Sequence, residues 1–151
     1  MITLQAPPEP ARIRLATRFG EFEADPRNLV GFPAGLPGFE QCRRFAVLTS
    51  PEAAPLQCLH ACDGPPASFL AVDPRLAMPD YVCVPEAADL ARLKASAGDY
   101  LLWLALLTFD ENGAAFANLR APVAINPGAM LGLQLMPRRS RYGLRHPLAI
   151  R

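Results

Sequence analysis

The chain has 151 residues, of which 51% are hydrophobic and 19% are charged, and its formal net charge is +1. This length provides one hydrophobic core rather than two, and the hydrophobic content excludes a disordered chain. The longest apolar stretch, from Tyr100 to Leu107, is far shorter than the ~20 residues that span a bilayer. We therefore expect a single folded domain without a membrane segment.

The beginning of the chain is rich in proline. Pro7, Pro8 and Pro10 stand where a secretory signal would need an apolar block, so we expect the protein to remain in the cytoplasm. We expect residues 1–11 to form a flexible extension, and residues 12–151 to form the single domain together with its basic C-terminal tail.

Seventeen prolines and ten glycines divide the chain into short segments, which leaves little room for long helices. Alternating apolar and polar residues between these breaks are typical of short strands. Arg12–Leu15 and Arg18–Glu23 flank a turn that contains glycine, and they predict a first hairpin. The other predicted strands are Leu29–Phe32, Phe45–Leu48, Leu56–Cys62, Ser68–Val72, Tyr81–Val84, Tyr100–Phe109, Pro122–Asn126 and Met130–Met136.

One segment, Pro85–Ala97, has the features of a helix. Pro85 fits the first helical position, where a missing N–H costs nothing, and Gly98 is placed to end the helix. Leu90 and Leu93 fall on one helical face, which would pack on the sheet.

Further along the chain, Asp110–Gly113 is typical of a hairpin turn, because its Asn-Gly pair supplies the positive φ angles that tight hairpins need. About nine or ten short strands and one short helix predict a mainly β fold. These segments indicate a curled antiparallel sheet that closes into a small barrel or sandwich, and we expect a barrel-like single domain.

The four cysteines are Cys42, Cys58, Cys62 and Cys83, and a reducing cytoplasm argues against disulfides between them. Cys58, His60 and Cys62 alternate along a predicted strand and would share one face, where they could offer three ligands to a metal. A zinc site needs a fourth ligand that the sequence does not supply. We expect small buried thiols beside a histidine, and no metal.

The sequence contains no familiar catalytic motif. It lacks a nucleophile elbow, a phosphate-binding loop, a dinucleotide fingerprint and a zinc-protease helix, and two histidines give few options for acid–base chemistry. Gly35–Gly38 is rich in glycine but holds a proline and no lysine, so we interpret it as a turn. We expect a binding protein that is not an enzyme and has no cofactor.

Charge is distributed unevenly along the chain. Residues 112–151 contain no Asp or Glu and six arginines, whereas residues 1–111 contain nine basic and fourteen acidic residues, for a net charge of −5. An acidic body with a basic end can steer charged partners. For any single arginine, the alternative is a solvated side chain without a partner.

Four stretches, which occur in order from about Arg14 to Leu148, resemble the FliW family of flagellar assembly factors. The most distinctive is the loop FPAGLPGFE, residues Phe32–Glu40, which we call the signature loop. The four stretches are Thr17–Glu23 with Phe32–Glu40, Ser68–Pro74 with Met78–Tyr81, Asn118–Asn126 with Gly132–Gln134, and Tyr142–Leu148, which we call the tail.

The resemblance implies a regulator that switches between protein partners and acts as a monomer when free. FliW-type proteins bind CsrA, a small dimeric RNA-binding protein that represses flagellin translation, and they also bind flagellin. Flagellin that awaits export occupies FliW and leaves CsrA active; once flagellin is exported, FliW binds CsrA away from its RNA-binding surface and relieves repression. The candidate partner-binding residues are Leu36, Phe39 and Glu40 in the signature loop and Tyr142, Arg145 and His146 in the tail.

Other interpretations remain open from the sequence. In one alternative, the signature loop only plugs one end of the barrel, and the tail only docks onto it. A small β-barrel with a basic tail could instead bind RNA directly, although Tyr142 is the only aromatic residue from Arg138 onward and base stacking would be limited. A flavin-binding enzyme of the split-barrel type is a further alternative.

Overall fold

The structure, a computed structural model, describes residues 13–17 and 19–149. This part of the chain contains eleven strands, two short α-helices and one 3₁₀ turn at Pro26–Asn28. The strands are β1 Ile13–Thr17, β2 Gly20–Ala24, β3 Leu29–Gly31, β4 Arg44–Thr49, β5 Gln57–Ala61, β6 Ser68–Val72, β7 Leu102–Phe109, β8 Ala115–Ala117, β9 Val123–Asn126, β10 Leu131–Gln134 and β11 His146–Leu148, and the helices are α1 Pro74–Ala77 and α2 Ala87–Arg92.

Seven of the described strands form a closed barrel in the order β7-β6-β5-β4-β3-β10-β9, and the pairing of β9 with β7 closes it. Every pair in this ring is antiparallel except β3 with β10, which is parallel. The C-terminal half of β7 leaves the ring and pairs with β8, which in turn pairs with β11. The mainly β, barrel-like fold predicted from the sequence is therefore confirmed.

The barrel is filled by side chains. Phe32 and Phe45 are fully buried inside it and meet edge to face, with ring centroids 5.0 Å apart. Leu59 and Leu104 pack in the same cluster. Gly132 lies directly against the Phe32 ring, which a Cβ at this position would overlap. Because successive strand residues point to opposite faces, alternate residues of the short strands fill this interior.

The outer wall of the barrel is covered as well. The β1–β2 hairpin contacts β4, and an apolar cluster that includes Ala46, Leu48 and Cys58 lies beneath it. Another cluster, centred on the fully buried Leu93, packs at the end of α2 against β9 and β10. With apolar cover on both faces, all four residues of β9 are buried.

The helices differ from the prediction over Pro85–Ala97. The α-helix covers only Ala87–Arg92, and Glu86 is its N-cap in a capping box with Asp89, so proline precedes the cap. The helix ends early because Lys94 takes a positive φ of 51°. A second helix, α1, was not predicted; the Asp73 carboxylate caps it by accepting the N–H of Arg75.

Most predicted strands are confirmed with shifts of one or two residues at their ends, and Arg12 and Arg18 of the first hairpin lie outside the described residues. The turn between β7 and β8 is confirmed, but only its glycine, Gly113, has a positive φ, of 81°. Two short strands, β8 and β11, were not predicted. Tyr81–Val84 was predicted as a strand, but it pairs with no other described segment.

The predicted extension, residues 1–11, lies outside the residues that the structure describes. Within the described residues, no helix is long and apolar enough to cross a membrane.

Candidate protein-interaction site

The signature loop, Phe32–Glu40, is a pair of consecutive tight turns. The N–H of Gly35 donates to the carbonyl of Phe32 at 2.8 Å, and the N–H of Phe39 donates to the carbonyl of Leu36 at 2.7 Å. Gly35 has a φ of 64°, and a Cβ there would lie 2.6 Å from the Cα of Glu40. Only glycine fits this position, so the sequence fixes the path of the loop.

Two apolar residues of the loop, Leu36 and Phe39, differ in exposure. Leu36 is 2% exposed and packs in the core with Phe32 and Phe45, so it offers no surface to a partner. This corrects its assignment as a candidate contact: the loop does plug the barrel, and Leu36 is the plug. Phe39 is 38% exposed and remains available for contact.

Phe39 forms one wall of an open groove of about 270 Å³ on the barrel surface. Its ring meets that of Phe69 edge to face, with centroids 5.0 Å apart. His60 and Ser68 also line the groove, and His60 Nδ1 lies 2.6 Å from the Ser68 hydroxyl oxygen. Burial lowers the pKa of His60, which favours its neutral form. The groove is thus a mainly apolar surface that also presents Thr17 and a neutral polar pair, His60 and Ser68.

Glu40 follows Phe39 in the chain and is exposed. Its carboxylate accepts the N–H of Gly38 at 3.0 Å, and this hydrogen bond lowers the pKa of Glu40. Glu40 therefore carries an exposed negative charge in the signature loop, where it can influence the approach of a charged partner.

In the tail, Tyr142 is held against the barrel. Its ring lies 4.5 Å from the ring of Tyr81, and its hydroxyl accepts hydrogen bonds from the N–H of Val82 at 3.0 Å and from the Arg141 guanidinium at 3.1 Å. These bonds, the Val82 bond first, lower the pKa of Tyr142. The buried Tyr81 hydroxyl donates to the carbonyl of Leu119 at 2.8 Å, and burial raises the pKa of Tyr81.

Of the two other candidate residues in the tail, only one is exposed. His146 is half-buried in β11 opposite Ala117. Arg145 is exposed, and its guanidinium carbon lies 4.4 Å above the centre of the Phe116 ring. The tail thus docks on the barrel, as one of the two interpretations predicted, and leaves Arg145 accessible.

The structure therefore does not bring the loop candidates and the tail candidates into one site. The groove beside Phe39 and the cavity beside Tyr142 share no lining residue. The sequence analysis also missed Phe69 and Tyr81, the aromatic partners of these two residues. Both are aromatic residues in stretches that carry the family resemblance, which is the signal that could have identified them.

The cysteines lie in different environments, and the structure joins none of them in a disulfide. Cys58 is buried beneath the first hairpin, whereas Cys62 is exposed and its thiol lies 3.6 Å from the carbonyl oxygen of His60. Burial raises the pKa of the Cys42 and Cys83 thiols. Among the described residues, no group of three or more His, Cys, Asp or Glu side chains could hold a metal ion.

Comparison with known proteins decides the family. The family model described as FliW protein matches residues 14–148. The chain belongs to the FliW family. A flagellar assembly factor FliW from Syntrophotalea carbinolica is 37% identical over 134 residues, which cover 89% of this chain and 96% of that protein. One from Natranaerobius thermophilus is 33% identical, with 86% and 87% of the two chains covered.

The fold of this family member agrees with that of a solved relative. The crystal structure of a flagellar assembly factor FliW superimposes with a TM-score of 0.78 at 26% identity, and the match covers 91% of this chain and 97% of that one. The family predicted from the sequence is therefore confirmed, and this chain is one of the flagellar assembly factors.

Proposed function

We propose that this FliW-family protein is a non-enzymatic partner switch of the cytoplasm. It binds the translational regulator CsrA, which relieves repression of flagellin synthesis, and it binds flagellin as the competing partner. The observation that supports this proposal best is the groove beside Phe39, a preformed apolar surface at the tip of a fixed loop. Exposed aromatic side chains on rigid supports are typical anchors of protein interfaces.

The rigidity of the signature loop matters for affinity. Two backbone turns and the buried Leu36 hold the loop in place, so little conformational entropy is lost when a partner covers Phe39. A partner that enters the groove would bury the exposed part of Phe39, whose ring is already held by its edge-to-face contact with Phe69.

A switch requires that the two partners exclude each other. We propose that they compete for the groove beside Phe39, because one aromatic anchor cannot be covered twice. If the protein binds CsrA away from the RNA-binding surface of CsrA, it can relieve repression only by binding one conformational state of CsrA more tightly than another. The net charge of −5 over residues 1–111 complements a basic RNA-binding partner and would accelerate its association at low salt.

Titration calorimetry tests the switch directly. We expect each purified partner to bind the free protein, and light scattering can verify that the free protein is a monomer. We expect prior addition of one partner to abolish the heat of binding of the other. Phe39→Ala should weaken both complexes by ~2 kcal/mol or more, as expected for an interface anchor. A ternary complex with undiminished affinities would falsify the switch and leave the family assignment intact.

Phe109→Ala is a matched control. Phe109 is another phenylalanine on the surface, 44% exposed against 38% for Phe39, and it lies at the end of β7 outside the groove. It should leave both affinities unchanged. Equal losses for the two variants would show that the surface beside Phe39 has no special role.

Direct RNA binding, the alternative from the sequence, has less support. The Tyr142 ring packs against the Tyr81 ring, and the central carbon of the Arg141 guanidinium is 5.2 Å from its centre, so these contacts leave less of the ring open to stack on a base. A mobility shift of flagellin leader RNA by this protein alone at physiological salt would favour the alternative.

A further inference from the structure

The segment Tyr81–Val84 has the pattern of a strand but no partner. Tyr81 is 8% exposed, whereas Val82 is 63% and Val84 79% exposed, and Cys83 between them is half-buried. Such alternation is that of an extended chain with one face on the protein and the other in solvent. The outward face presents two β-branched residues to water, and large apolar side chains grouped on a surface often mark a contact.

Part of the backbone of this segment is also unpaired. The N–H of Val82 donates to the Tyr142 hydroxyl at 3.0 Å. Within the described ranges, the backbone groups of Cys83 and Val84 make no hydrogen bond with any other backbone group. An extended segment with unpaired N–H and C=O groups is a template to which another strand can add.

Positive charge lies beside this segment. Arg120, Arg139 and Arg141 line a cavity of about 400 Å³ together with Val82 and Val84, and no carboxylate lines it. Among the described residues, these three arginines form no ion pair with Asp or Glu. Acidic residues occur just beyond: Asp80 precedes the segment, and Glu86 and Asp89 line the next cavity past Val84.

We infer that this cavity and the Tyr81–Val84 segment, together the Val82 cleft, bind an extended peptide of alternating acidic and apolar residues by strand addition. The backbone of the peptide would pair with either Cys83 or Val84, because consecutive residues of an extended chain direct their N–H and C=O groups to opposite sides. Its apolar residues would cover the two valines, and its carboxylates would meet the arginines. The inference is independent of the partner switch, because it concerns another surface and a class of peptide rather than a named protein.

A peptide fits these observations better than a nucleic acid does. Phosphates could also meet the arginines, but they would leave the two valines and the unpaired backbone uncovered. The cavity contains no free aromatic face for a base, since Tyr142 is engaged by Tyr81 and Arg141.

The binding test uses the intact chain and a fluorescent peptide of alternating Glu and Val, about ten residues long, the upper length of a typical strand. We expect saturable binding by anisotropy that weakens as salt rises. Arg139→Glu should weaken it at least about tenfold, whereas Arg43→Glu, an equal charge change outside the cleft, should leave it within about twofold. A peptide of alternating Lys and Val should not bind.

Hydrogen exchange distinguishes strand addition from simple charge attraction. With the peptide bound, one of the amides of Cys83 and Val84 should exchange more slowly, namely the one that faces the added strand, and Val84→Glu should remove both the protection and the binding. The inference is overturned if the peptide fails to bind at about 1 mM, if Arg139→Glu and Arg43→Glu act alike, or if binding leaves these amides unprotected. Tighter binding of a single-stranded oligonucleotide of similar length would overturn it in favour of nucleic acid.

Discussion

Leu36 and Phe39 allow the two roles of the signature loop to be separated by the same kind of substitution. They lie three residues apart, but Leu36 is 2% exposed inside the barrel and Phe39 is 38% exposed on its surface. If the loop both plugs the barrel and contacts a partner, Leu36→Ala should mainly reduce stability, and Phe39→Ala should mainly reduce binding.

The magnitudes follow from the burial of each side chain. Truncation of a buried leucine costs about 2–5 kcal/mol of unfolding free energy, which lowers the melting temperature of a domain of this size by roughly 5–20 °C. Phe39 is only partly buried, and its main contact is the edge-to-face pair with Phe69, so we expect its loss to cost about 1–2 kcal/mol of stability. Its loss from an interface should cost ~2 kcal/mol or more of binding.

Urea denaturation of both variants gives the stabilities, and calorimetry with each partner, at a temperature where both variants are folded, gives the affinities. Correctly folded Leu36→Ala should bind with near-normal affinity, and Phe39→Ala should not. The reasoning fails if Phe39→Ala is as unstable as Leu36→Ala and yet binds both partners normally, because the loop would then be a plug and nothing more.

Three other predictions concern the fold. Gly132→Ala should lower the unfolding free energy by about 1–3 kcal/mol in urea, because its Cβ overlaps the buried Phe32 ring, and a second change, Phe32→Leu, should recover part of the loss. Asn126→Ala should cost ~2 kcal/mol or more, because the buried amide donates to two carbonyls at the end of α2, and exchange in α2 should accelerate. The hydrogen bond from Arg75 lowers the pKa of Asp73, so this carboxylate stabilises the protein above its ordinary pKa, and the effect is lost as pH falls through the lowered value. Asp73→Asn, which keeps a capping side chain, should therefore be slightly less stable at about pH 7 and equal to the parent protein at about pH 2, as measured by unfolding at each pH.

Short apolar segments bounded by turn residues could be predicted as strands from the sequence. In β4, β5 and β6, the apolar residues and the turns between the strands are local properties, and the structure places these strands within two residues of the prediction. Which strands pair to close the barrel could not be derived in this way. The pairing of β7 with β9 and the parallel pairing of β3 with β10 join segments far apart in the chain.

The helix shows how a distant contact overrides a local pattern. The spacing of Leu90 and Leu93 favours helix to residue 97, but the carbonyls of Leu93 and Lys94 accept hydrogen bonds from the side-chain amide of Asn126, and the chain turns at Lys94 with a positive φ. A single buried asparagine on β9 thus satisfies the carbonyls at the end of the helix. The sequence predicts instead that Gly98 ends the helix. Nothing near residue 94 in the sequence indicates this partner.

The candidate site shows the same division between local pattern and distant partner. Leu36 and Phe39 are similar apolar residues in one loop, and only the turn at Gly35 decides which one enters the barrel. Val82 and Val84 are exposed and alternate with less exposed residues, as outward residues do in a paired strand. This pattern records only which side of the chain faces solvent, and it carries no information on whether a neighbouring strand exists. A segment with the alternation of a strand and no partner within the described chain is therefore where strand addition from another molecule has the most to contribute, and exchange at Cys83 and Val84 measures whether it occurs.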